Sequence, residues 1–374
     1  MRLKKGSFSD FARRAESSGK PIVVYGAGVI GQVAAPYWLN AYQLAEQVRC
    51  YVDADPHKQG GTVAVGERAV PISPVSALEE LGSGSLLLVT VSAFDAVVES
   101  LEKLSALRET ETWFLPVMLI ERAHSLKSGG VVKTSETPLI PKKIHYCWFS
   151  GNLIPDSLKR CMETWEKFCP DYEIIRWDES NYDISWSPYM VQAYERKKWG
   201  FVPDVARLDI LYRHGGIYLD TDVELVRGLD ELLYQPAFCG VEKWGHVNLG
   251  GLSGAERGNP AIGAILDARR EVAFVGEDGA LNLTTCGQFE SSPLAAMGFC
   301  PSNATQTLTD CGMTVYASAF FHPFDYASGE TVVTENTFSI HHFSGTWLGE
   351  NAARERALTR EKYRRFVDSL EETI

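Results

Sequence analysis

The chain has 374 residues, 45% of them hydrophobic and 22% charged, with a formal net charge of −12. Two domains with a core each fit that length, and the composition is that of a folded protein rather than a disordered one. The acidic balance excludes a general nucleic-acid binder, which needs a basic face to meet phosphates.

An anionic ligand would therefore have to be met by a local device such as a metal ion or a helix N-terminus. The opening MRLKKGSFSDFARRAESSGK is basic without an apolar core and does not read as a signal peptide. No stretch reaches the ~18 apolar residues of a membrane span. The eight cysteines are scattered, without CxxC spacing, and read as thiols of a reducing compartment. The expectation is a cytoplasmic protein. The basic, aromatic-dotted stretches LKKGSFSDFARR and ARERALTREKYRRF read first as solvated helix faces. Peripheral contact with the inner face of a membrane is their second reading.

From Lys20, KPIVVYGAGVIGQVAAPYWL has a β-branched run, a glycine turn and then a helical period. VRCYVDADP and SLLLVTVSAF read as further strands, and DAVVESLEKLSAL as a helix. This alternation predicts an α/β domain with a parallel sheet over residues 1–130. Gly26, Gly28 and Gly31 form a GxGxxG between strand and helix, where backbone can approach a diphosphate. Asp53, at the end of the next strand, is placed for a ribose hydroxyl. The stretch resembles the small Rossmann-like domains fused to sugar acyltransferases and sugar methyltransferases. That resemblance implies a nucleotide or nucleotide-sugar ligand, or a vestigial site.

LKSGGVVKTSETPLIP breaks the periodicity, and a linker is expected at 131–137. A second α/β domain, 138–374, follows. KKIHYCWFSG, YEIIRW and GGIYLD read as strands, VARLDILYRH as a helix, and MTVYASAFFHPF and TFSIHHFSGTW as short strands and loops.

In RHGGIYLDTDVEL two glycines end the helix, a short apolar strand follows, and Asp220 and Asp222 emerge at its tip. Strand alternation would put both carboxylates on one side. Like charges so close call for a cation between them, and oxygen ligands suit Mg²⁺ or Mn²⁺. Such a metal could bridge the diphosphate of a nucleotide-sugar.

From about Pro138 onward the sequence resembles glycosyltransferase family 32, the DXD sugar-binding group of capsular and exopolysaccharide loci. The large glucosylating bacterial toxins share its core. The resemblance implies a GT-A-type fold and transfer of a hexose from a nucleoside diphosphate sugar, UDP-linked by expectation, with retained configuration. The acceptor would be a saccharide or a lipid-linked saccharide. On IPKKIHYCWFSG it implies that Trp148 stacks on the base. On PDVARLDILYRHGGIYLDTDVEL it gives Asp204, Arg207, Tyr218 and Asp220 to the donor, with Asp220, Asp222 and Arg207 as the catalytic set. VNLGGLSGAERGNP puts Asn248 at the sugar. IHHFSGTW puts His342 with Asp220 and Asp222 at the metal, and Trp347 over the diphosphate. His341 and His342 should face opposite ways along a strand. Pro203 and Thr346 replace the usual serines, and TTCGQFE stands where Thr-Gly-Pro is typical, near the acceptor, which leaves the acceptor open.

Two other readings of the chain remain. One is an NAD(P)-dependent sugar-nucleotide oxidoreductase or epimerase using the glycine loop. The other is a non-catalytic sugar-nucleotide sensor.

Overall fold

The computed structural model describes residues 1–92, 94–126, 129–325, 327–344 and 352–372. The chain forms two compact units, both α/β.

The first unit comprises Met1–Leu126, Lys243–His246 and Arg354–Ile374. Its strands are β1 (Arg2–Lys5), β2 (Ile22–Tyr25), β3 (Val48–Asp53), β4 (Thr62–Val65), β5 (Arg68–Pro74), β6 (Leu86–Val89) and β7 (Glu111–Phe114). Late in the chain a last strand, Glu371–Glu372, joins them beside β1. From that strand the sheet order runs β1-β7-β6-β2-β3-β5-β4, parallel except for β4 against β5. β2, β6 and β7 are buried throughout, as a parallel sheet covered on both faces requires. The helix Phe8–Ser18 starts at a capping box, in which Ser7 and Asp10 each satisfy the other's backbone N–H. It ends at Gly19 in the left-handed region (φ 62°) and packs Phe11 edge-on against Trp113.

The second unit comprises Lys127–Glu242 and Val247–Ala353. Its strands are β8 (Lys143–Cys147), β9 (Glu173–Trp177), β10 (Gly216–Tyr218), β11 (Val223–Leu225), β12 (Ala237–Val241), β13 (Val247–Asn248), β14 (Ser253–Ala255), β15 (Gln306–Leu308), β16 (Met313–Tyr316) and β17 (Ser339–His341). The main sheet runs β15-β16-β12-β14-β10-β8-β9, mixed in direction, and β11 pairs separately with β17. Apolar layers lie on both faces, and successive residues of β10 feed different ones. Ile217 belongs to the apolar cluster that holds Trp165 and Leu219, while Tyr218 belongs to the one that holds Val205 and Ala206.

The sequence predicts a single domain from Pro138 to the C-terminus. The first unit instead takes in Arg354–Ile374, because Lys4 and Lys5 of β1 pair in parallel with Glu371 and Glu372. The opposite charges at this edge are complementary, with Lys4 Nζ 2.6 Å from Glu371.

Candidate active site

The helix Pro203–His214 begins with proline at its first turn, where a missing N–H costs nothing, and ends at Gly215. Gly215 and Gly216 both take positive φ, 64° and 103°, and a Cβ on Gly216 would press on the His145 ring. Only glycines allow this reversal, and it aims β10 at the site. β10 stops at Tyr218. Asp220, Thr221 and Asp222 then lie in a tight turn closed by Val223 N donating to Asp220 O (3.0 Å). The carboxylates therefore converge through turn geometry rather than through the strand alternation expected from the sequence.

Asp220 and Asp222 are joined by His341, and one ligand atom from each of the three lies within 4.8 Å of the others. Here the structure departs from the expected His342. β17 pairs with β11 so that Val223 faces His341, which sends the His341 ring inward, with Nε2 3.3 Å from Asp222 Oδ1. His342 points the other way, half-exposed, with Nε2 2.9 Å from Glu224. Its contribution to the turn is its backbone N–H, donated to Asp222 O. Phe343 then takes a left-handed φ of 46°, and Ser344 donates both N–H (2.6 Å) and Oγ–H (2.9 Å) to Asp222 Oδ2. Burial works against the Asp222 charge, but His341 and the Ser344 donors outweigh it and hold the carboxyl well below the usual range. For His341, burial favours the neutral ring and Asp222 favours the cation; the net shift is upward.

Arg207 stands beside this cluster, wholly buried. It bonds Asp204, donates Nε–H to Pro203 O (3.1 Å) and lies 3.6 Å from Asp220 Oδ2. Its Nη1 has no hydrogen-bond partner. Burial opposes its charge, yet Asp220 and Asp204 hold it more firmly protonated than usual. Burial raises the Asp204 carboxyl despite Arg207. Tyr218 donates its hydroxyl to Asp220 Oδ1 (3.0 Å) and offers its ring to the Arg207 guanidinium at 5.5 Å.

The loop after β13 closes the group. Asp220 N donates to Gly250 O (2.8 Å), and a Cβ on Gly250 would collide with both Arg207 and Asp220. Asn248 is engaged inside this loop. Its Oδ1 accepts from Gly250 N (2.9 Å) and Gly251 N (3.2 Å), and its Nδ2 donates to Glu242 (2.8 Å). Trp148 is partly buried at the end of β8 and donates Nε1–H to Asn152 O (2.7 Å). Trp347 and Thr346 lie outside the described residues.

Glu290 and Arg269 are among the buried groups of this unit that escaped the sequence reading. Glu290, in the helix Cys286–Ala296, is 1% exposed, and burial pushes its carboxyl up to about 7 against the pull of Arg207. Arg269, in the helix Pro260–Arg270, is held between the rings of Tyr189 (4.2 Å) and Phe289 (3.8 Å). Glu290 closes the TTCGQFE stretch, which the sequence reading singled out for its departure from Thr-Gly-Pro and not for this acid, and Arg269 lies in none of the quoted motifs. The available signal was a charged residue at an inward position of an apolar helix face.

In the first unit the glycine loop leaves β2 as expected. Gly26 has φ 106°, and a Cβ on Gly31 would collide with Gly26 O. At Gly28 a Cβ would meet nothing. Asp53, 8% exposed, is turned toward this loop. Its Oδ2 accepts from Ala27 N (2.7 Å) and its Oδ1 from Asp55 N (2.9 Å). That carboxylate holds the loop in shape.

Comparison with known proteins bears on this geometry. The family model "Glycosyltransferase sugar-binding region containing DXD motif" matches residues 155–239, a span that includes Asp204, Arg207 and the Asp220–Asp222 turn. Inositol phosphoceramide mannosyltransferase 3 of Schizosaccharomyces pombe is 36% identical over 111 residues, 29% of this chain and 31% of that protein. Mannosyl phosphorylinositol ceramide synthase SUR1 of Saccharomyces cerevisiae is 36% identical over 104 residues, 27% of each. The match thus spans less than a third of the length of either relative. Among solved structures, PaToxG Glycosyltransferase aligns with a TM-score of 0.34 and 20% identity, covering 49% of this chain and 75% of that one. Residues 155–239 are thus similar to the sugar-binding region of DXD glycosyltransferases, and Asp220-Thr221-Asp222 is the D-x-D inside the matched residues.

Proposed function

We propose that this chain is a metal-dependent hexosyltransferase that takes its sugar from a nucleoside diphosphate sugar. The convergence of Asp220, Asp222 and His341 beside the buried Asp204–Arg207 pair carries the reading. Two carboxylates and an imidazole suit a divalent ion such as Mn²⁺ or Mg²⁺. Bound there, the ion would offset the charge that builds on the departing diphosphate.

The chain's own residues do the rest. Ser344 and His341 keep Asp222 ionised, and Tyr218 and Gly250 orient Asp220. Arg207, fixed by Asp204 and held in its charged form, would offer to a donor phosphate the Nη1 that has no hydrogen-bond partner and lies 3.6 Å from Asp220. Trp148 is assigned to the base and Trp347 to the diphosphate. In the transfer the bond from the anomeric carbon to the diphosphate oxygen breaks. An acceptor hydroxyl bonds to that carbon as its proton passes to the departing diphosphate oxygen.

The names of the fungal relatives specify mannosyl transfer and inositol phosphoceramide, which supports a hexose donor and a lipid-linked acceptor. The UDP linkage and a role in capsule, exopolysaccharide or lipopolysaccharide assembly rest on the family resemblance. The first unit is assigned a Rossmann-like role, with Gly26–Gly31 as the place for a nucleotide.

The test is slow hydrolysis of UDP-glucose, UDP-galactose, UDP-N-acetylglucosamine and GDP-mannose, each with Mn²⁺ and with EDTA. One donor should be cleaved only with metal. Asp222→Asn should cost at least ~100-fold, the several kcal/mol expected of a lost charge clamp, in a protein that still melts cooperatively. Full rates in EDTA would overturn the proposal.

A further inference from the structure

The proposed reaction leaves the buried Glu290 unused. Glu290 accepts from Leu249 N through Oε2 (2.9 Å), and the neighbouring Ser291 accepts from Val247 N through Oγ (3.0 Å). The helix Cys286–Ala296 thus grips β13 and the residue after it at alternate backbone amides. The next residue, Gly250, accepts from Asp220 N and has no room for a side chain against Arg207 and Asp220. A continuous path therefore runs from the Glu290 carboxyl through Leu249 and Gly250 to the D-x-D turn. Holding one N–H needs one acceptor, yet the chain buries a whole carboxyl here, at a cost that an uncharged side chain would avoid. Its Oε1 has no partner, and Arg207 is near enough for its charge to act on the acid.

We infer that Glu290 is a positioning residue of the donor site: through Leu249 it fixes the Asn248–Gly251 loop against Asp220 and Arg207, and so sets the geometry that receives the metal and the sugar diphosphate. The inference rests on the donor-site reading above.

It is tested with Glu290→Ala, Glu290→Asp and Glu290→Gln in the full chain. Mn²⁺ affinity is followed by electron paramagnetic resonance, and KM and kcat by hydrolysis of the donor that the wild type cleaves. Ala removes the acceptor and Asp withdraws it by one methylene. Each should weaken Mn²⁺ binding at least ~10-fold, as loss of a group that orients metal ligands does, and should raise KM more than it lowers kcat. Gln keeps an acceptor for Leu249 N and should restore both to within about threefold. Ala or Asp protein with a lowered melting temperature but wild-type Mn²⁺ affinity and KM would make Glu290 a packing residue and overturn the inference. If Ala does not fold, Asp and Gln decide it in the same way. Mn²⁺ binding that is lost in Asp222→Asn but intact in every folded Glu290 variant overturns this inference alone. Wild-type protein that binds no Mn²⁺ overturns the donor-site reading and this inference with it.

Discussion

Along β17 neighbouring side chains face opposite ways, so His341 and His342 meet different acids: Asp222 inside the site and Glu224 at the half-exposed edge. His341→Ala should therefore weaken Mn²⁺ binding by one to two orders of magnitude, whereas His342→Ala should stay within about threefold of wild type by isothermal titration. The reverse outcome would restore His342, the ligand that the family resemblance implies. Glu290 offers a second measurement at this scale. Its carboxyl rises from an ordinary 4.5 in the unfolded chain to about 7 in the folded one. Between those values the unfolded state releases a proton that the folded state keeps, so this residue's contribution is full below pH 4.5 and is lost as pH rises through 7. The loss amounts to at most about 3 kcal/mol. Urea unfolding from pH 4.5 to 8 should show the wild type losing stability relative to Glu290→Gln across that window; parallel curves would place the acid in a more polar setting.

Single atoms also decide what each loop tolerates. Gly250→Ala sets a methyl group against Arg207 and Asp220, so Mn²⁺ affinity and donor hydrolysis should both fall at least ~10-fold, by the same disturbance of metal-ligand geometry. Within the glycine loop the same change should be unequal. Gly31→Ala forces a methyl onto Gly26 O and should cost the first unit a few kcal/mol by overpacking. Gly28→Ala meets nothing and should leave melting unchanged. Equal effects of the two would mean that the loop does not pack as described. These contrasts mark what was legible in the sequence. Helix 203–214, the strands around it and the D-x-D carry strong local patterns; the helix and strands are where the pattern put them, and the D-x-D follows β10 in a turn. The closure of the aspartate turn, the inward turn of Asn248 and Asp53 and the grip of Glu290 on Leu249 depend on partners 26 to 41 residues away, or on loop backbone with no periodicity. Alternation correctly set His341 and His342 on opposite faces. It could not say which face met Asp222 and which Glu224, because that depends on the β11–β17 register.

At the scale of the whole chain the sequence places its break at 131–137, where Gly, Ser, Thr and Pro interrupt the pattern, and assigns everything later to one domain. The last residues carry no such interruption, and a two-residue strand is too short to read from alternation. Yet Glu371–Glu372 adds to the β1 edge, Lys4 pairs with Glu371, and Phe366 meets Phe114 edge-on with ring centroids 4.7 Å apart. The ion pair is exposed on the glutamate side and contributes little; the burial of Tyr363, Phe366 and Leu370 stabilises this edge more. Deleting residues 354–374 should therefore act on the first unit, by baring the β1 edge and removing the buried Tyr363, Phe366 and Leu370. Hydrogen exchange followed by mass spectrometry should show faster exchange in peptides covering β1, β7 and the helix Leu115–Ser125. Peptides covering 216–225 and 247–255 should keep their protection, since the β10 and β14 hydrogen bonds and the Gly250 contact all lie within the second unit. If those site peptides lose protection instead, the C-terminal segment belongs to the donor site. The boundary read from the sequence, with everything after Pro138 in one domain, would then describe the working enzyme better than the compact units do.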